Sequence, residues 1–189
     1  TKSAGWLLRG DVNAPAVILL HRYGTNRSYM LDLGVKLNEA TNFTILMPDQ
    51  RGHGTSATTA ICSFGGCEAG DIDSAIAFLK SLKTPESATI VNGDIGIYGV
   101  EMGATAGLRA ASNNPNIKAL VLDSLPQSSD AVAAAAVARR FPFASSITAK
   151  LAQLGAYGYF FDGCYSKDSA CDTAKRVAGR KVLLLAGVD

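Results

Sequence analysis

Histidine is scarce in this sequence: His21 and His53 are the two among 189 residues. No Cys-x-x-Cys pair occurs among the four cysteines, so the usual donor set of a structural zinc site is missing. No metal and no cofactor follow from the residues. No block of Lys or Arg is present and the net charge is +2, which offers no basic face to nucleic acid or to an anionic membrane. The longest apolar runs, such as residues 131–138, are far too short to span a bilayer. No signal peptide is visible, and residue 1 is Thr rather than Met. The expectation is a processed or trimmed start, which leaves open whether a signal or anchor stood upstream.

What is present describes a globular domain. Hydrophobic residues make up 48% and charged residues 18% of the chain, and its length suits one domain with a real core. The cysteines fall in two close pairs, Cys62/Cys67 and Cys164/Cys171. Even number and pairing favour disulfides and therefore an extracytoplasmic or secreted protein; four unrelated thiols in a cytoplasmic chain are the alternative. Short separations favour local closure as Cys62–Cys67 and Cys164–Cys171, unless the two segments share a rim and cross-link. Asn26-Arg27-Ser28 and Asn42-Phe43-Thr44 have the form of glycosylation sites.

Along the chain, short apolar runs at residues 6–9, 16–20, 43–47, 95–98, 118–122 and 181–186 read as strands. Between them, residues 28–40 and the stretch from Asp71 carry helical periodicity, and residues 126–179 are largely Ala-rich and helical by pattern. Alternation of this kind predicts an α/β fold with a mostly parallel sheet flanked by helices. Functional groups in such sheets collect at the carboxyl ends of the strands. Residues 21–24 and 48–54, Asp123 and Asp189 all fall at such ends and should converge on one edge.

The stretch IGIYGVEMGATAG, residues 95–107, organises the rest. A strand leads into the glycine-flanked turn Gly99-Val100-Glu101-Met102-Gly103, and a small-residue helix follows. That is the setting of a nucleophile elbow, in which one side chain is held out on a strained turn. With LLHRYGTNRS, MPDQRGHG and IKALVLDS in matching order and spacing over residues 16–125, the chain resembles the α/β-hydrolase superfamily, nearest its serine-aminopeptidase-like and small esterase branch. The resemblance implies a single domain over residues 1–189, with 126–179 as a helical cap or insert and the C-terminal part of the fold incomplete.

Three departures accompany the resemblance. Glu101 stands where Ser, Cys or Asp is expected; His21-Arg22 replaces the His-Gly of the oxyanion turn; and the chain stops at Asp189, before the position of the family's catalytic His. Glu101 has no hydroxyl for a His–Asp pair to activate. As a direct nucleophile its oxygens would overshoot the attack position by roughly an ångström. The resemblance further implies that the Tyr23 and Met102 N–H groups form the oxyanion hole. It places Asp189 near, though one residue short of, the acid position. His21 and His53 are structural by their place in motif turns, and Asp49, Arg51 and His53 hold their loop. Asp123 and Ser124 cap a strand or line the pocket floor. Arg22 either pairs with Glu101 across the former pocket or points to solvent. The leading functional reading is a hydrolase-like protein with a degenerate elbow, inactive or weakly active. The alternatives are a hydrolase of esters or related acyl substrates, through a carboxylate nucleophile or as an altered serine esterase or peptidase, and a module binding a small ester-like molecule or a protein.

Overall fold

The sheet is built from β1 (Gly5–Leu8), β2 (Ala14–Leu20), β3 (Thr44–Pro48), β4 (Val91–Val100), β5 (Ile117–Asp123) and β6 (Lys181–Leu185), side by side in the order β1-β3-β2-β4-β5-β6. This computed structural model describes residues 4–56, 61–140, 145–159, 165 and 168–186. β1 pairs antiparallel with β3, and every other pairing is parallel. The expected mostly parallel α/β sheet is therefore the observed one. Among the described residues six α-helices accompany it: α1 (Leu31–Thr41), α2 (Glu68–Ser81), α3 (Met102–Asn113), α4 (Ser129–Arg140), α5 (Ser145–Tyr159) and α6 (Ala170–Lys175).

Period-two alternation along β2 sorts its side chains onto two faces. Ala16, Ile18 and Leu20 join a core with residues of α2 and α3, while Leu19 and Val17 join a second core beneath α1 with Met30, Ile45 and Met47. Continuous apolar runs are what a strand covered on both faces requires. α3 is buried from Met102 through Ala111, and its small residues allow it to lie close to the sheet, to α2 and to α6. α2 begins three residues before the expected Asp71, because the Glu68 carboxylate ties its first turn to the preceding loop. It accepts from the Ser63 N–H at 2.8 Å, the Ser63 hydroxyl at 2.5 Å and the Gly65 N–H at 3.0 Å.

The cysteine pairing differs from expectation. Cys62 and Cys171 are free, so neither Cys62–Cys67 nor Cys164–Cys171 forms. Cys67 is disulfide-bonded, and Cys164 lies outside the described residues. The reason is local geometry. Phe64 and Gly65 both take positive φ and turn the chain so that Cys62 faces Met102, Sγ to Sδ 3.3 Å, while Cys67 stands immediately before the first residue of α2.

Candidate active site

The elbow forms as its sequence demands. β4 ends at Val100, Glu101 adopts φ 48° and ψ −107°, and α3 starts at Met102. That conformation is strained for a residue with a side chain. Both neighbouring glycines are obligatory for packing. A Cβ on Gly99 would meet the Gly103 backbone at 2.5 Å, and one on Gly103 would collide with the Leu20 carbonyl of β2. The Glu101 N–H donates to the Asp123 carbonyl at 2.9 Å, and its own carbonyl accepts from the Thr105 N–H at 3.0 Å. The turn is thus clamped to β5 on one side and to α3 on the other.

The Glu101 carboxylate is held by Arg139, in the last turn of α4. One guanidinium N–H donates to Oε1 at 2.6 Å and another to Oε2 at 3.4 Å. Arg22, the partner weighed from the sequence, is not the one. Its carbonyl closes the 21–25 turn, accepting from the Thr25 N–H and hydroxyl, and its guanidinium stacks on the Tyr29 ring at 5.3 Å. The side chain therefore lies along the short helical turn of Arg27–Met30 rather than across the elbow.

Both histidines are spent on backbone. His21 Nδ1 contacts the Arg22 carbonyl at 2.8 Å and Nε2 accepts from the Gln50 N–H at 3.1 Å. His53 Nδ1 contacts the Arg51 carbonyl at 3.0 Å and Nε2 accepts from the Gly24 N–H at 3.0 Å. Because a carbonyl only accepts and an N–H only donates, each ring is neutral in the Nδ1–H tautomer. Burial lowers the His21 pKa, outweighing the hydrogen bond to the Arg22 carbonyl. The two rings meet edge-on at 5.4 Å, and Tyr23 packs on His53 at 5.2 Å and on Phe64 at 5.4 Å. This stack carries the 21–24 turn.

Asp49 is likewise structural. Burial alone would raise its pKa, but hydrogen bonds from the Arg27 N–H, the Thr55 N–H and the Thr55 hydroxyl, together with the Arg27 guanidinium, hold it below the ordinary value. Arg51 forms a two-armed ion pair with Asp71 at 2.6 and 2.5 Å. Asp123 ends β5 with both carboxylate oxygens engaged, by the Tyr98 hydroxyl and the Ser124 hydroxyl, each at 2.9 Å. Burial, then Asp123, pushes the Tyr98 phenol up to about 12. Asp189 lies outside the described residues. The ends of β2, β3, β4 and β5 do converge on one edge, through the Gln50–His21, Gly24–His53 and Glu101–Asp123 bonds.

Two residues that the sequence did not single out shape this edge. Arg139 neutralises the elbow carboxylate, and Glu68 holds the 63–65 loop against α3, where a Cβ on Gly65 would touch Thr105. Among the described residues no three His, Cys, Asp or Glu side chains gather at metal-binding distance, and no helix is long and apolar enough to cross a membrane.

No family model and no curated protein matches the chain. Solved structures do resemble it. The α/β hydrolase GrgF from Penicillium sp. sh18 aligns over 96% of this chain and 74% of its own, at 15% identity and a TM-score of 0.67. The esterase Pf2001 from Pyrococcus furiosus aligns over 96% and 69%, at 18% identity and a TM-score of 0.63. Est1E from Butyrivibrio proteoclasticus, solved with ferulic acid bound, aligns over 72% and 53%, at 20% identity and a TM-score of 0.55. The chain spans 41% of the length of DcsB, another structure that it resembles.

Proposed function

We propose that this chain, which has the α/β-hydrolase fold, binds a small ester-like or related acyl ligand at its elbow and performs no serine-hydrolase chemistry there. The ion pair between Glu101 and Arg139 carries the reading. It occupies the nucleophile position with a group that has no hydroxyl to activate and whose lone pairs are already directed at a cation. Neither His21 nor His53 can act as general base without breaking a backbone hydrogen bond. The Met102 N–H is the first free donor of α3 and, with the Tyr23 N–H, is our candidate for holding a ligand carbonyl oxygen. Asp123 and Ser124 lie beside that position. The Cys67 disulfide supports an extracytoplasmic setting.

Two measurements test this. p-Nitrophenyl acetate should turn over at the buffer rate and a fluorophosphonate probe should leave the protein unlabelled. The amide isostere p-nitroacetanilide should shift the Tyr23 and Met102 amide resonances in an NMR titration, and the absence of such shifts would remove the binding site. Because the elbow keeps its strained φ, a second reading has Glu101 attacking directly. Turnover well above buffer, abolished by Glu101→Gln and accompanied by a hydroxylamine-sensitive ester on Glu101, would replace the first reading with this one.

A further inference from the structure

Arg27, Arg51 and Arg139, which approach the carboxyl edge of the sheet, each have a carboxylate partner: Asp49, Asp71 and Glu101 in turn. Arg22 is the exception. Among the described residues no carboxylate or carbonyl accepts from its guanidinium, which rests on the Tyr29 ring. Its Nε is buried without an acceptor, whereas its two Nη nitrogens stay open to solvent. Stacking on the ring holds the plane of the guanidinium in place. The Nη end is therefore an oriented, reachable and unused pair of charged donors.

Its place in the fold gives that pair a use. Arg22 directly precedes Tyr23, whose N–H is one of the two donors assigned to a ligand carbonyl. Tyr29, beneath the guanidinium, lies near enough to Tyr98 to help raise its phenol pKa, and Tyr98 donates to Asp123 beside the elbow. The neighbouring carboxylates are directed elsewhere: Glu101 at Arg139, Asp49 at Arg27, and Asp123 at the Tyr98 and Ser124 hydroxyls. A partly desolvated cation without a counterion favours an anion beside it. Resting on the reading of the elbow as an acyl-ligand site, we propose that Arg22 is its anion-binding residue and that the ligand is an acyl compound bearing a carboxylate. The carbonyl oxygen is held by the Tyr23 and Met102 N–H groups, and the carboxylate lies end-on to the Arg22 Nη pair, whose two donors match its two oxygens. One unpaired guanidinium balances a single negative charge, which fits a carboxylate better than a phosphate.

The probe is succinic acid mono-p-nitroanilide, compared with its neutral twin in which the free carboxyl is a primary amide. In NMR titrations the acid should bind at least about tenfold more tightly than the twin, the worth of a hydrogen-bonded charge, and should shift the Arg22 Nε–H resonance. The advantage should shrink as sodium chloride is raised, because the Nη pair faces water. Arg22→Gln should bring the ratio of the two affinities close to one, and Arg22→Lys should restore part of it. Equal affinities in the wild-type protein, or an advantage of the acid that survives in Arg22→Gln, would overturn the role of Arg22 while the Tyr23 and Met102 amide shifts still stand. If neither anilide moves those two amides, the reading of the elbow fails and takes the proposal with it. Should Arg22→Gln not unfold cooperatively in urea, the wild-type ratio and its salt dependence decide the matter.

Discussion

Replacing an alcohol by a carboxylate at position 101 leaves the backbone of the turn intact and changes what surrounds it. Arg139 must come from α4, 38 residues away, to balance the charge. The pair is partly exposed, Arg139 at 49% and Glu101 at 21%, so its contribution to stability is small and its main effect is to occupy the site. His21 shows the opposite balance, a fully buried ring whose worth depends on being neutral. The unfolded imidazole takes up a proton near 6.5 while the buried one resists until lower pH. The unfolded chain then binds more protons, so stability falls as pH drops through that value. Urea midpoints are expected to decline below pH 6.5 with a slope of up to about 1.4 kcal/mol per pH unit. In His21→Gln that slope should vanish above the carboxylate range, down to roughly pH 4.5, although the variant is less stable overall; an unchanged slope there would assign the titration elsewhere. The turns that carry Glu101 and both histidines were legible in the sequence because each is a short motif whose backbone is local. The sequence could not choose between partners for Glu101, since the reach of a long cation depends on where a later helix ends. The cysteine pairing failed for a related reason: two positive-φ residues between Cys62 and Cys67 reverse the direction that spacing alone assumes.

At the scale of elements, the legible parts are those where one packing constraint acts on one stretch. Residues 16–20 had to be apolar throughout because α1 and α2 cover opposite faces of β2, and the elbow needed small residues because three backbones meet there. The start of α2 was less legible, since it depends on the Glu68 carboxylate reaching back into a loop. Glycine substitutions separate these cases. Gly103→Ala drives a methyl into the Leu20 carbonyl and Cβ, both parts of a strand that cannot yield, and is expected to cost about 3 kcal/mol. Gly155→Ala, in α5 with nothing within 4 Å of the added carbon, is expected to stabilise by up to about 1 kcal/mol through helix propensity. Urea unfolding of the two variants checks both signs. A mild Gly103→Ala would mean that α3 does not press on β2.

Across the whole molecule, the burial is lopsided. β2 and β4 in the middle of the sheet are enclosed, but β6 is exposed along its full length, with Val182 at 42%, Leu183 at 53%, Leu184 at 64% and Leu185 at 39%. Among the described residues β6 pairs on one side only, with β5. Alternate residues of a strand face opposite sides of a sheet, so apolar side chains at four consecutive positions leave both faces of this edge uncovered. An unpaired apolar edge is a template for association. The chain of residues 1–189 is therefore expected to self-associate as its concentration rises, with an increasing weight-average mass in light scattering. Leu184→Lys places a charge at the most exposed of these positions and should shift the chain toward monomer without lowering its urea midpoint by more than about 0.5 kcal/mol equivalent. Association that persists unchanged in Leu184→Lys would move the sticky surface off β6. The exposed apolar face of α5, with Ile147, Leu151 and Leu154 each above 60%, would then be the surface to charge next.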